Sequence, residues 1–364
     1  MKSFIKKEPT FVIAGLAAVI SCFFVMPDAQ YISYIDFRVL VLLFCLMSAV
    51  AGIQKTGFFE SLSEKLLSRA GSTRGVCLIL VLLTFFSSML ITNDVALITL
   101  VPFAVTVLYG AGAKNLIIKT VVLQTVAANL GSMATPVGNP QNLFLYSRYG
   151  LNIGEFLGCI LPYAAVSLVF VVLCALWGRH TAVEASGNKQ TAVKRKSLTV
   201  YNLLFLLSIL TVLRLVHFGV TAVVTVIVLL ITDREILIKT DYCLLLTFVF
   251  FFIFSGNLGR IPAVSGFLEE FLSRNTVLAG VVTSQVISNV PAAVLLAPFT
   301  DNWQALFAGV NIGGLGTPVA SLASLISLKL YMGSEESRGG KYMAVFTAYN
   351  IAGLALLLTV YRLI

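Results

Sequence analysis

The sequence predicts an all-α polytopic membrane protein with an inverted-topology repeat, two re-entrant helical hairpins and two broken transmembrane helices. Three observations predict it. Of 364 residues, 58% are hydrophobic and only 11% charged, against about 25% charged in soluble domains. Apolar runs long enough to cross a bilayer recur from end to end. Polar, helix-breaking stretches interrupt four of these runs, in two matching pairs.

The amino end, MKSFIKK, precedes an apolar run over residues 9–26. No small-residue cleavage site closes it, so residues 1–36 read as a retained N-terminal helix and its loop. The first repeat covers residues 37–177. It comprises a span at 37–53, an amphipathic stretch at 58–71, a polar-tipped region at 75–110, an interrupted span at 115–150 and a span at 155–177. Residues 178–241 form a basic linker with connecting spans at 199–216 and 219–232. The second repeat covers residues 242–364. Its parts are a span at 242–258, an amphipathic stretch at 262–275, a polar-tipped region at 276–300, an interrupted span at 304–331 and a last span at 342–361. Both amphipathic stretches set Glu and Arg against an apolar face, which suits helices lying in the membrane interface.

Charge orients the chain. The net charge is +9, but the basic residues sit in loops, as topology signals do. Lys2, Lys6 and Lys7 place the N-terminus in the cytoplasm, while residues 27–36 contain no Lys or Arg. Lys55, Lys65, Arg69 and Arg74 precede the first polar-tipped region, and Lys114 and Lys119 follow it. Basic loops on both sides favour a hairpin at 75–110 that enters and leaves by one face. A pair of short spanning helices returns the chain to the same face, so that alternative stands beside it. The densest cluster, KQTAVKRKS at residues 189–197, reads as a cytoplasmic loop, and no nucleic-acid partner is expected. The six cysteines form no C-x-x-C pair and read as small buried hydrophobes, so no metal or other cofactor is expected of them.

The repeat is visible in residues that chance matching of Leu and Val does not supply. Residues 88–104 (SMLITNDVALITLVPFA) match residues 284–300 (SQVISNVPAAVLLAPFT) at seven of seventeen positions, including Asn93 with Asn289. Residues 129–137 (NLGSMATPV) match residues 311–319 (NIGGLGTPV) at five of nine. The topology count orients the halves oppositely. Inverted repeats with discontinuous helices are a secondary-transporter signature, the binding site lying where the breaks meet.

The residue types at the four breaks suit ion and anion binding without net charge. Thr92, Asn93, Ser288 and Asn289 occupy the hairpin tips, and Asn129, Ser132, Thr135, Asn139 and Asn142 the first interrupted span. Asn311 and Thr317 occupy the second. Unwound backbone exposes carbonyls to a cation, while freed amides at helix starts attract anions. Gly131, Gly138 and Gly314 let a ligand approach the backbone, and Pro136, Pro140 and Pro318 prevent the helices from simply continuing. Asp94 is the one acid deep inside an apolar segment. It reads either as an ion-coupling group, binding Na⁺ with Asn93 and Asn289 or carrying a proton, or as a helix cap. No Walker motif, catalytic triad or H-E-x-x-H is present, so neither an enzyme nor an ATP-driven pump is expected.

The stretches LITNDVALITLVPF, GSMATPVGNPQNLFLYSRYGL and SQVISNVPAAVLL resemble the ion-transporter superfamily. Its members include citrate-transporter-like permeases, divalent-anion/sodium symporters and arsenite permeases, and the nearest likeness is to bacterial inner-membrane anion permeases. The resemblance implies a homodimer in the lipid bilayer that moves a small carboxylate or inorganic oxyanion by an elevator-like movement, with Na⁺ or H⁺ as coupling ion. It also implies that the hairpin-tip Ser-Asn-Thr positions, here Thr92-Asn93-Asp94 and Ser288-Asn289-Val290, hold ion and substrate. Asp94 and Val290 depart from that pattern, and Asp94 is more like arsenite permeases and Na⁺/H⁺ antiporters. The second break has lost the asparagines of GNPQN, so the first half is expected to carry more of the binding.

Overall fold

A computed structural model describes residues 8–67, 71–177, 192–334 and 337–364. Lys2, Lys6, Lys7, Arg69 and residues 189–191 of the basic cluster lie outside the described residues. Among the described residues the chain is helical throughout, with no strand, and seven helices are long and apolar enough to cross a membrane.

Helices α1 (Pro9–Cys22), α2 (Gln30–Tyr34), α3 (Phe37–Lys55) and α4 (Phe58–Leu67) lead into the first polar-tipped region. Asp36 starts α3 by accepting the Val39 amide at 3.0 Å. The polar-tipped region is a hairpin of α5 (Thr73–Ile91) and α6 (Asn93–Gly110), separated by Thr92 alone. The interrupted span is α7 (Ile117–Ser132) and α8 (Pro140–Arg148). Asn139 accepts the Asn142 amide at 2.9 Å and Pro140 opens α8, so the chain stops one helix and starts another within the break. A capping box of Asn152 and Glu155 starts α9 (Ile153–Leu176). Helices α10 (Arg195–Val212), α11 (Phe218–Thr232) and α12 (Arg234–Lys239) connect the halves.

The second half repeats the order. Helices α13 (Tyr242–Gly259) and α14 (Pro262–Arg274) precede a hairpin of α15 (Thr276–Ile287) and α16 (Asn289–Leu296), separated by Ser288 alone. The second interrupted span is α17 (Trp303–Ile312) and α18 (Leu322–Met332), with a 3₁₀ turn at Pro318–Ala320 between them, and α19 (Gly339–Leu363) closes the chain. At about 1.5 Å per residue, α5 and α6 each match the ~30 Å hydrocarbon thickness, whereas α15 and α16 fall well short of it. The two hairpins are therefore unequal in length.

Packing between the halves is reciprocal. Helix α18 of the second half lies against α6 of the first hairpin, and α8 of the first half lies against α16 of the second hairpin. The flanking helices pair as α1 with α13 and α3 with α10. Ion pairs tie helix ends on opposite faces. Lys55 pairs with Asp233 at 2.8 Å on one face, and Arg260 pairs with Asp28 at 2.7 Å on the other.

Candidate functional site

The internal repeat holds at the level of single hydrogen bonds. Thr135 donates its hydroxyl to the Met89 carbonyl in the first half. In the second, Thr317 donates to the Gln285 carbonyl at 3.2 Å. The close approaches repeat too. A Cβ on Gly131 would lie 2.2 Å from the Phe85 carbonyl oxygen and 2.6 Å from Ser88 Oγ, and one on Gly313 would lie 2.8 Å from Ser284 Oγ. In both halves a glycine of the broken helix thus lets the first hairpin arm press against the break.

Asn129 is the junction between the halves. Its Oδ1 accepts from Asn93 Nδ2 at 3.2 Å and from the Ser321 hydroxyl at 2.9 Å. Its Nδ2 donates to the Gly314 carbonyl at 3.4 Å and to Ser324 Oγ at 3.3 Å. One buried amide therefore joins the first hairpin tip to both sides of the second break. A second junction lies nearby. Asn311 donates to Asn142 Oδ1 at 2.9 Å and accepts from Asn139 Nδ2 at 3.4 Å, and Asn139 also donates to Ser132 Oγ at 3.2 Å. Asn142 turns its amide toward the carbonyls of Ser132, Met133 and Thr135, three acceptors released where α7 ends.

The tips themselves are built alike. Thr92 and Ser288 both have positive φ, 68° and 77°, a conformation that L side chains rarely adopt. Asn93 donates its main-chain N–H to the Gly138 carbonyl at 3.2 Å, setting the first tip at the level of the first break. A Cβ on Gly314 would lie 2.8 Å from Asn289 Nδ2, so the second tip is equally close to the second break. Pro136 and Pro140 are buried within the first break.

Asp94 sits apart from these amides. Its main-chain N–H donates to Asn93 Oδ1 at 3.0 Å, while Thr92 holds the position before the helix and makes no side-chain capping bond. Its carboxylate Oδ1 is buried without a hydrogen-bond partner, and among the described residues no hydrogen bond joins it to Asn289. Thr317 is exposed and Pro318 half-buried, so these two line the rim of the second break and not its centre. The remaining predicted residues stand at or beside the two asparagine junctions.

Four residues that sequence reasoning passed over belong here. Ser321 and Ser324 complete the shell of Asn129 in place of the asparagines missing from the second half. Gln285 donates to the carbonyls of Gly313 and Leu315, each at 2.9 Å, and accepts the Thr317 amide at 2.8 Å. Gln141 is 1% exposed, and its Oε1 has no partner. The available signal was positional: Gln285 aligns with Met89, and a polar residue replacing an apolar one beside a break is informative. Ser321 and Ser324 carried a weaker signal of the same kind: they align with Asn139 and Asn142, but serines are common on buried faces of membrane helices.

Two half-repeats that meet through unwound, amide-rich segments inside an apolar helical body define a membrane transporter. The chain belongs to the citrate transporter family, whose model matches residues 4–305. An uncharacterized transporter of Methanocaldococcus jannaschii is 31% identical over 312 residues, 85% of each chain. The inner membrane protein YbiR of Escherichia coli is 31% identical over 306 residues, 81% of this chain and 80% of that one. A silicon efflux transporter of rice is 34% identical over 170 residues, 45% of this chain and 34% of its own length. Among solved structures, the YdaH transporter of Alcanivorax borkumensis shares the fold, with a TM-score of 0.60 and 14% identity over 92% of this chain and 87% of that one.

Proposed function

We propose that the protein is a secondary active transporter for a small anion, a carboxylate or an inorganic oxyanion, driven by Na⁺ or H⁺. The observation that carries this reading is the Asn129 junction, where a hairpin tip of one half and the unwound break of the other share one buried side chain. Such a junction must rearrange if the halves move, so ligand occupancy and movement are linked. Neutral amides and hydroxyls, with main-chain amides at the start of α8, accommodate an anion without a fixed countercharge. In this reading the second hairpin, whose arms are too short to span, is re-entrant, and the first turns back at Thr92 with arms long enough to span. The chain works as a homodimer with an elevator-like movement. The likeness to an Escherichia coli inner membrane protein supports a place in a bacterial inner membrane, and Lys2, Lys6 and Lys7 support an N-terminus in the cytoplasm. The family's name points to citrate as the first candidate, and the partial likeness to a silicon transporter adds weak oxyacids.

Proteoliposome uptake under an imposed Na⁺ or pH gradient is the test. If neither gradient drives any carboxylate or oxyanion, and Asp94→Asn changes nothing, the reading fails. A cation/proton antiporter of the same fold is the second reading. It is favoured by Asp94 Oδ1 and Gln141 Oε1, two buried acceptor oxygens that suit a cation. A pH change inside vesicles on adding Na⁺ or Li⁺ with no transportable anion would select it.

A further inference from the structure

We propose that the cavity beside Arg148 is a second anion site, a mouth that holds a small carboxylate before it reaches the polar breaks. It has a volume of about 330 Å³ and lies between flanking helices and the break-bearing elements. Ser33 and Tyr34 wall it from α2, Asp36 from the turn before α3, Phe252 and Ser255 from α13, and Phe144 and Arg148 from α8. The volume falls in the range of small-molecule sites.

Arg148 is the one basic residue of the lining, and two further arginines lie on neighbouring elements. Arg148 lines the cavity, is exposed, and makes no hydrogen bond or ion pair among the described residues. Arg38 donates to the Thr211 carbonyl at 3.4 Å, and the main-chain N–H of Arg214 donates to that same oxygen at 3.0 Å. The Arg214 guanidinium reaches over the turn that follows Arg148, where a Cβ on Gly150 would lie 3.5 Å from Nη2. The one carboxylate of the lining, Asp36, caps α3, and the nearby Asp28 is paired with Arg260, which also donates to the Tyr34 hydroxyl. No topological signal accounts for these arginines. The loop at residues 27–36 has no Lys or Arg and marks this as the outer face, where basic residues are scarce.

The cavity is coupled to the breaks by α8 itself. Asn142, bonded to Asn311, stands near one end of this helix and Arg148 at the other, about 9 Å apart along the axis. Between them Phe144 meets Phe252 with ring centroids 5.6 Å apart, an aromatic floor to the cavity. Arg148 with the hydroxyls of Ser33 and Tyr34 suits a carboxylate, and Phe144 and Phe252 suit its carbon body. The role as a mouth rests on the anion-transport reading above, while the binding itself does not.

The test is binding of acetate, succinate and citrate to the full chain in phosphatidylcholine nanodiscs at low salt, followed by calorimetry. Arg148→Gln weakens binding of the preferred carboxylate at least tenfold and Arg148→Lys by less. Arg274→Gln, which removes an exposed charge outside the cavity, leaves it unchanged. The proposal is overturned if none of the three binds the parent, if Arg148→Gln binds like the parent, or if Arg274→Gln weakens binding equally. It is also overturned if phosphatidylglycerol in the nanodisc abolishes carboxylate binding in the parent but Arg148→Gln loses that sensitivity, since a lipid headgroup then fills the cavity. If transport fails but Arg148-dependent binding persists, the transport reading falls and the site stands.

Discussion

Thr92 and Ser288 hold the same backbone conformation at corresponding turns of the two halves, with φ 68° and ψ 152° in one and φ 77° and ψ 154° in the other. For a residue with a Cβ this region costs about 1–3 kcal/mol. Glycine removes that strain and gives back about 0.5–1 kcal/mol in chain entropy. Ser288→Gly is therefore expected to unfold in detergent at a temperature no lower than the parent. A drop of several degrees would mean that the hydroxyl, not the turn, governs this tip.

Asn129→Ala removes two acceptor and two donor contacts at once and leaves Asn93, Ser321 and the Gly314 carbonyl short of partners. Each buried group left unsatisfied costs about 1–3 kcal/mol. The expected outcome is a loss of gradient-driven uptake of at least tenfold, with a lowered unfolding temperature. Uptake equal to the parent would remove Asn129 from the mechanism.

Gly131→Ala and Gly313→Ala separate two kinds of obstacle. The added carbon at Gly131 comes within 2.2 Å of the Phe85 main chain, which cannot rotate away, whereas at Gly313 it meets the small side chain of Ser284 at 2.8 Å and the Gly309 carbonyl at 2.9 Å. Overpacking costs about 1–3 kcal/mol, and the Gly131 variant is expected at the upper end. Ser284→Gly combined with Gly313→Ala should cost less than the two single changes added together, because the glycine removes the side chain the new methyl meets. Thermal unfolding of the single and double variants decides this, and simple additivity would contradict the packing.

Asp94→Asn keeps the size of the side chain and removes its charge. Coupling through this carboxylate predicts that the variant loses uptake driven by the Na⁺ or pH gradient while retaining exchange of labelled for unlabelled anion. Gradient-driven uptake at the parent rate would exclude the coupling role.

Outside the membrane, the Lys239 and Lys55 ammoniums hold the Glu235 carboxyl down at about 2. Because the folded value lies below the ordinary 4.5, this contribution is complete above about pH 4.5 and is lost as pH falls toward 2. Unfolding temperature measured from pH 6 to pH 3 at low salt should fall less steeply in Glu235→Gln than in the parent. Salt screens this exposed cluster, so the difference should shrink in 1 M NaCl.

The spans were legible because hydrocarbon demands long apolar helices, and the breaks because Pro and Gly prevent helix continuation. Thus Pro140 and Asn139 mark the start of α8 in the sequence as clearly as in the fold. The pairing of Asn93 with Asn289 was legible for a related reason, since polar residues in apolar segments are costly and stand out. What stayed hidden was which polar groups face each other. Ser321 and Ser324 look like any buried serines until Asn129 is placed between them. Asp94 looked like a member of the amide cluster, yet its carboxylate has no bond to it.

The sequence by itself determined the helical class, the order of elements, the internal repeat and the positions of the four breaks. These depend on solvent and local backbone constraints, which act residue by residue. Tertiary structure decided the Asn129 junction, the matched strained turns at Thr92 and Ser288, and the cavity that Arg148 shares with Tyr34 and Phe252. Each depends on distances between segments far apart in the chain, and such distances follow from how helices pack, not from the preferences of any one segment.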